Sequence, residues 1–402
     1  VVSAAPREVE VLLVGGGIAA ARCARRLRRG GFAGSILLVG EEPVPPYNRP
    51  PLSKELLAGA VPQELLLAEP ESWYARKGVE LLTGVAVMAL DAEARVARLS
   101  DGGEVSFAEC LLATGAEPIP PPIPGMEHAL LLRTVADATV LRGAALEAVA
   151  AVGSARAAVL GGGFIGVEVA AALAGLGLDV TLVERTGQLW AGALGETVAT
   201  WGREELENAG VRVRLSTPAE SLQPAALVTG GERVPAALLV AGVGVRPRTG
   251  LAEAAGLAID DGIVVDAGRR AAPGILAAGD VARVPHPLAG ARGLRVEHWH
   301  AAREGGEAAA LAILGAPVPV PRAPWVYSEF AGQLLDVVGW APTIEDEVVL
   351  GDRADGRFAV AHLAGGRVVE VAVVNGFLPV DDARRFVEAS PSASELGALV
   401  PA

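Results

Sequence analysis

Val159-Leu160-Gly161-Gly162-Gly163-Phe164-Ile165-Gly166-Val167-Glu168 is the stretch on which the reading of this chain turns. The apolar run Ala157 to Leu160 reads as a buried strand, and Gly161-x-Gly163-x-x-Gly166 follows it at once. An alanine-rich run from Val167 to Leu176 reads as a helix, and a second strand, Val180 to Val183, ends in Glu184. Strand, glycine turn, helix, strand and acid thus form one unit. Its glycines let the backbone turn sharply and come close to a pyrophosphate, while the helix N-terminus offers N–H donors and a favourable dipole. Glu184 falls near the ~20-residue spacing expected of a ribose-binding carboxylate. A glycine fingerprint alone is weak, but this one sits between a strand and a helix and ends in an acid, the context that marks a dinucleotide site.

The same unit occurs earlier. Glu10 to Val14 reads as a strand, after a loose tail over residues 1–8. Gly15-x-Gly17-x-x-Ala20 follows, with alanine at the third position, a permitted variant. A helix from Ala21 to Arg29 and a strand from Ile36 to Val39 lead to Gly40 and Glu41. Two such units imply two dinucleotides, and the economical pair is FAD with NAD(P)H, since a flavin takes up a hydride and releases electrons singly. The alternative is one working unit and one decayed copy. A carboxylate at Glu184 accepts hydrogen bonds from ribose hydroxyls and repels a 2′-phosphate, which favours NADH over NADPH, although Arg185 partly offsets it.

Composition bounds the remaining possibilities. With 402 residues, 51% hydrophobic and 20% charged, the chain reads as a soluble α/β protein of two or three domains. A net charge of −13 argues against nucleic acid as a partner. No apolar run approaches the ~18 residues that span a bilayer, so no membrane is expected. No signal peptide is read at the N-terminus, which makes the expected location cytoplasmic. The two cysteines, Cys23 and Cys110, lie outside any CxxC or CxxxxC pattern and read as inert thiols. Arg22, Arg25, Arg26 and Arg29 share one helix face, read either as a solvated surface or as a docking patch for an acidic partner. His298-x-His300 lacks the further ligands of a metal site, so no metal is expected.

The run Pro46-Tyr47-Asn48-Arg49-Pro50-Pro51-Leu52-Ser53-Lys54 is the most distinctive in the chain. Its prolines force extended backbone, and Ser53 reads as the cap of a helix starting at Lys54. It resembles the Pro-Tyr-x-Arg-Pro-Pro-Leu-Ser-Lys segment of oxygenase-coupled NADH-dependent ferredoxin reductases, the family of the putidaredoxin, rubredoxin and biphenyl-dioxygenase ferredoxin reductases. The resemblance implies a glutathione-reductase-like α/β fold: two Rossmann-like dinucleotide-binding domains plus a small α+β C-terminal domain. The implied boundaries are 1–118 and 246–322 for FAD, 119–245 for NAD, and 323–402 for the last domain.

The family's site residues carry over position by position. Gly15, Gly17, Ala20 and Glu41 would hold FAD, as would Arg49 and Lys54. Ala113-Thr114-Gly115 resembles the crossover past FAD, and Arg133 would lie near it. Gly279-Asp280 resembles the second FAD motif, and Glu297-His298-Trp299 the segment near the flavin's pyrimidine end. Gly161, Gly163, Phe164, Ile165, Gly166 and Glu184 would bind NADH, with the return segment Gly242–Gly244 lining that site. The resemblance also implies a Lys54–Glu168 contact near flavin N5, which would orient the nicotinamide. Disulfide-reductase relatives carry CxxxxC where this chain has no cysteine between Glu41 and Cys110, so electrons must leave for an external acceptor.

The chain departs from the family at the start of the last domain. Tyr327 stands where the family has a tryptophan beside the flavin; it can still pack on the ring and is taken as catalytic with Lys54 and Glu168, but the acceptor-facing surface is altered. From Ala323 to Ala402 there are 5 Arg and 12 Asp or Glu, a balance of 5 − 12 = −7. The expectation is an NADH:ferredoxin reductase, monomeric or homodimeric, with an iron–sulfur ferredoxin as acceptor. The alternatives are direct reduction of a quinone, peroxide or oxygen, and a redox-responsive binding flavoprotein resembling apoptosis-inducing factor.

Overall fold

The apolar run ending in Val14 forms a strand, β1 (Arg7–Val14), which feeds a helix, α1 (Ile18–Arg29), and a parallel partner strand, β2 (Ile36–Gly40). The computed structural model describes residues 7–152 and 155–396. The tail read over residues 1–8 is shorter where it is described: Arg7 and Glu8 pair with Val105 and Ser106 and so extend β1. Residues 1–6 lie outside the described part. The chain divides into two compact units.

The first unit comprises the chain up to Asn48, Glu64–Glu117 and Arg246–Pro321. Its main sheet runs Arg270–Ala272, Ile275–Ala277, Glu104–Leu112, β1, β2 and Val79–Thr83. The pairings from Ile275–Ala277 to Val79–Thr83 are all parallel. Both faces are covered, as a parallel sheet requires. Leu12, Leu37, Cys110 and Leu112 enter one core cluster, while Val11, Leu13, Leu38 and Leu111 enter another together with Ala20, Ala24 and Leu27 of α1. The helix Trp299–Ile313 lies against α1 so closely that a Cβ on Gly306 would stand 2.1 Å from the Ala19 carbonyl oxygen.

Two of the four arginines on the shared face of α1, and Arg28 beside them, are tied into this unit. Arg25 and Arg22 both reach the buried Glu69 carboxylate, Arg22 at 3.4 Å. The Arg28 guanidinium donates to the carbonyls of Phe32, Gly34, Lys77 and Gly78 at 2.7–2.8 Å. Arg26 and Arg29 are exposed.

The second unit comprises Arg49–Gln63, Pro118–Val245 and the chain from Arg322. Its parallel sheet runs Arg212–Arg214, Asp179–Val183, Arg156–Leu160, Leu238–Ala241 and Leu130–Leu131. The C-terminal segment forms a five-stranded antiparallel sheet: Trp325–Phe330, Gln333–Gly339, Arg367–Val374, Arg357–Ala364 and Asp346–Asp352. The helix Val380–Ala389 packs on it through Ala383, Phe386 and Val387. The strand Asp346–Asp352 has no apolar alternation to announce it; it forms as an edge, paired with Arg357–Ala364. Trp190, Trp201, Phe330 and Phe358 interlock within this unit, with ring centroids 5.5–6.0 Å apart.

One local expectation fails. Ser53 does not cap a helix at Lys54: Pro50–Ser53 is a 3₁₀ turn, the α-helical turn is Glu55–Ala58, and its N-cap has no side-chain hydrogen bond. The Ser53 hydroxyl is directed instead to a buried carboxylate, described below.

Candidate functional site

In the first unit, β1 ends in a turn built for close backbone approach. Gly15 N–H donates to the Val39 carbonyl at 2.8 Å, and Ala113 N–H donates to the Val14 carbonyl at 2.8 Å. Gly15 has φ +123°, and a Cβ there would sit 2.2 Å from the Ala113 oxygen. No side chain fits at this position. Gly17 is the extended N-cap of α1, and space around its missing Cβ is open. The first N–H groups of α1 therefore face a cradle without side chains, which suits a pyrophosphate. Ala20 carries its methyl in the core, at 0% exposure.

Other expected residues of this unit gather by pairing. Glu41 is exposed and ion-paired with Arg248 at 2.7 Å. The Thr114 hydroxyl donates to the Arg248 carbonyl at 2.8 Å, and Arg248 N–H donates to the Gly115 carbonyl at 2.9 Å. Gly279, at φ +81°, follows a strand whose end is tied by Ala278 N–H to the Leu112 carbonyl at 3.1 Å. The neighbouring Asp280 is 9% exposed. Arg295 donates to the Asp280 carbonyl at 3.3 Å and pairs with Glu297. His298 caps the helix that begins at Trp299, and the Trp299 indole donates to Asn48 Oδ1 at 2.7 Å. Among the described residues, no group of three or more His, Cys, Asp or Glu is arranged to hold a metal.

The second unit repeats the turn. Gly161 N–H donates to the Val183 carbonyl at 2.9 Å, and Gly242 N–H donates to the Leu160 carbonyl at 2.8 Å. Gly161 has φ +102°, with the Gly242 oxygen 2.4 Å from where a Cβ would stand. Gly163 caps the helix Phe164–Gly175 with open space at its Cβ position, whereas a Cβ on Gly166 would meet the Gly161 oxygen at 1.9 Å. Phe164 opens the helix and its ring lies 6.0 Å from Trp190. Ile165 and Val243, each 41% exposed, put apolar surface beside this turn. Gly244, at φ +124°, accepts from Ile119 N–H at 2.9 Å.

Glu184 is folded back on the turn. Its Oε2 accepts from Gly162 N–H at 2.7 Å, and its Oε1 accepts from both the Thr186 N–H and the Thr186 hydroxyl at 2.7 Å. Trp190 N–H closes the same loop on the Gly162 carbonyl at 2.9 Å. The carboxylate therefore arrives preoriented, with lone pairs to spare for hydroxyl donors.

A charged cluster also lies within the second unit. Lys54 Nζ stands 2.8 Å from Glu168 Oε2, which meets the contact expected of these two residues. Glu168 is 4% exposed and lies on the fingerprint helix. Two partners were not legible in the sequence. Ser53 Oγ donates to Glu168 Oε2 at 2.5 Å, and Ser328 Oγ donates to Oε1 at 2.7 Å. Lys54 also donates to the Pro50 carbonyl at 3.0 Å, and its Nζ stands 5.7 Å from the Tyr327 ring centroid. Burial, reinforced by Glu329 and Glu168, pushes the Tyr327 phenol above its usual range, so it stays protonated. Arg49 donates to the Arg133 carbonyl at 2.6 Å, while Arg133 N–H is held by Asp137 Oδ2 at 3.0 Å.

Lys54 is one of only two lysines among 34 basic residues; the other is the exposed Lys77. An ammonium is a compact point charge, whereas a guanidinium is a planar fork. A mostly enclosed position between one carboxylate oxygen, one carbonyl and one ring suits the former.

Comparison with known proteins agrees with this geometry. Residues 9–306 match the family model for pyridine nucleotide-disulphide oxidoreductases. The ferredoxin–NAD(+) reductase component of the anthranilate 1,2-dioxygenase system of Burkholderia cepacia is 37% identical, over 94% of each chain. That of the biphenyl dioxygenase system of Paraburkholderia xenovorans is 34% identical, over 96% of this chain and 94% of the other. Among solved structures, the reductase in the covalent putidaredoxin reductase–putidaredoxin complex matches with a TM-score of 0.91 and 31% identity, over 98% of this chain and 96% of that one. Two glycine turns closed to any side chain, a preoriented strand-end acid and these relatives lead to one conclusion: the chain belongs to the pyridine nucleotide-disulphide oxidoreductase family, among the ferredoxin reductases of oxygenase systems.

Proposed function

We propose that the protein is an FAD-dependent NADH:ferredoxin reductase. The observation that carries this reading is the doubled turn, in which Gly15 and Gly161 both exclude a Cβ and Gly17 and Gly163 both leave open space before a helix. FAD belongs to residues 1–118 and 246–322, NADH to 119–245, and the acceptor-facing surface to 323–402. FAD, when bound, supplies the chemistry of accepting a hydride from NADH and releasing electrons one at a time.

The chain's own residues bind, orient and select. Gly15, Gly17 and the start of α1 take one pyrophosphate, with Thr114, Arg49, Arg133, Asp280 and the Glu297–Trp299 segment serving the remainder of FAD. Gly161, Gly163 and Gly166 take the other pyrophosphate. Glu184 accepts from the adenosine ribose and disfavours a 2′-phosphate. Ile165 and Val243 offer an apolar wall against which water is displaced. Lys54 and Glu168 fix a positive and a negative group where the nicotinamide must be oriented, so rate comes from positioning rather than from a side-chain nucleophile. Cys23 and Cys110 are free and fully buried, with burial raising both thiols, so neither is an electron relay.

The acceptor is an iron–sulfur ferredoxin, and the protein works in the cytoplasm as a monomer or homodimer. Tyr327 and the −7 balance of residues 323–402 favour one second reading, direct reduction of a small acceptor. Stopped-flow mixing of the FAD-loaded protein with NADH and NADPH, then with a ferredoxin, a quinone and oxygen, tests both. Rapid reduction by NADH and rapid reoxidation by ferredoxin is the expected result. Reoxidation by quinone or oxygen alone would replace the first reading with the second. A reduced state that outlasts every acceptor would favour a redox-responsive binding protein.

A further inference from the structure

The cluster around Glu168 is assembled from three separate parts of the second unit. Ser53 and Lys54 come from the proline-rich segment, Glu168 itself from the fingerprint helix, and Ser328 from the first strand of the C-terminal sheet. Ser328 is 0% exposed, Ser53 2% and Glu168 4%. A carboxylate so placed holds one orientation only if both oxygens are satisfied, and an ion pair survives burial only with such added hydrogen bonds. Lys54 and Ser53 both meet Oε2, and among the described residues Ser328 alone meets Oε1. Losing Ser328 would free the carboxylate to turn about its Cγ–Cδ axis, and Lys54 would lose its fixed partner. The two hydroxyls are thus placed to decide where the ammonium stands.

We propose that Ser53 and Ser328 are positioning residues for hydride transfer, which orient the Glu168 carboxylate and through it hold the Lys54 ammonium in place. This rests on the reductase reading above. The C-terminal sheet then contributes to the nucleotide side of the reaction through a hydroxyl, in addition to the surface carrying Tyr327.

The test uses FAD-loaded protein with Ser328→Ala, Ser328→Thr, Ser53→Ala, Glu168→Ala, and Ser328→Ala combined with Glu168→Ala. Stopped flow gives the limiting rate of flavin reduction and the apparent NADH affinity, and a redox titration gives the flavin midpoint potential. Ser328→Ala is expected to slow limiting reduction roughly tenfold, the worth of a hydrogen bond to a charged group. It should leave NADH affinity within about twofold, because the lost interaction orients rather than binds, and it should lower the midpoint potential. Ser328→Thr should restore both rate and potential, and Ser53→Ala should reproduce the effect from the other oxygen. In the Glu168→Ala background, adding Ser328→Ala should change nothing.

An unchanged rate and potential in both Ser328→Ala and Ser53→Ala would overturn the proposal while leaving the reductase reading intact. So would an equal loss from Ser328→Ala with and without Glu168. Should Ser328→Ala fail to fold, Ser53→Ala and Ser328→Thr carry the test. Failure of NADH to reduce the wild-type flavin would instead show that the reductase reading itself was wrong, and the proposal with it.

Discussion

The two glycine turns match in backbone and differ in what surrounds it. Each closes on the following strand with a hydrogen bond of 2.8 or 2.9 Å, and each has its first glycine pressed against a crossover carbonyl, Ala113 in one and Gly242 in the other. The third position differs. Ala20 keeps a buried methyl, whereas Gly166 lies so near the Gly161 oxygen that a methyl could not fit. The first unit has its tightest helix contact elsewhere, at Gly306 against Ala19. The terminal acids differ too. Glu41 stands exposed with Arg248 beside it, while Glu184 is bonded into its own turn. The charges beside the helices are reversed: α1 supplies cations to an outside carboxylate, Glu69, and the second helix supplies a carboxylate, Glu168, to an outside cation. A motif therefore specifies the backbone path, and the roles of its flanking letters are set by what the rest of the fold brings to them.

Substitutions can strain this comparison. The largest effect should come from Gly161→Ala, where a backbone clash and a left-handed φ together cost about 3–6 kcal/mol. Loss of NADH binding and a lowered urea midpoint would be seen, and Ala20→Gly in the other turn should cost only about 1 kcal/mol. Next, Lys54→Ala leaves Glu168 buried without its cation and should destabilise by about 3–5 kcal/mol. Glu69→Ala should cost roughly half as much or less, since Arg22 and Arg25 keep access to water (side-chain exposures 18% and 30%). Equal losses from the two would show that the reversed charges are equally buried in energetic terms. Third, Glu184→Ala removes three hydrogen bonds from one turn and should cost about 1–3 kcal/mol and most of the preference for NADH over NADPH. Glu41→Ala breaks only an exposed pair, and a change above about 1 kcal/mol in thermal unfolding would contradict the reading of that pair as solvent-screened.

The smallest effect concerns the thiols. Cys23 and Cys110 both lie in the first unit at 0% exposure, and burial raises both above their usual range. At pH 8 each then has less thiolate than an exposed cysteine, and thiolate is the reactive form. A thiol reagent should label neither in the native protein and both after unfolding. Labelling therefore reports opening of the first unit alone, and fast native labelling would contradict its packing.

Much of this was readable from local pattern. Both turns, and the strands and helices beside them, follow from apolar runs and glycine spacing, which act over a few residues. The Lys54–Glu168 pair came from resemblance, since 114 positions separate the two and no spacing rule joins them. Ser53 was misread as a helix cap because a serine just before a helical run is often one; a buried anion from elsewhere took its hydroxyl instead. Ser328 gave no signal at all, since one serine in a strand looks like any other until the opposing surface is known. The edge strand Asp346–Asp352 was missed for a related reason: most of its residues face outward, so period-two alternation has nothing to act on. Backbone was legible where the constraint is local, and side-chain partners were not where it is tertiary.

The scarcity of lysine has a practical side. Of the two in the chain, Lys54 has a side chain only 10% exposed and engaged with Glu168, leaving Lys77 as the exposed one. Reagents that acylate primary amines therefore meet a single accessible side chain, in place of the scattered targets most surfaces offer. With the terminal α-amine blocked, one dye, one tether or one electrode linker can be attached at a known position without engineering, and every molecule in such a layer would present the same face.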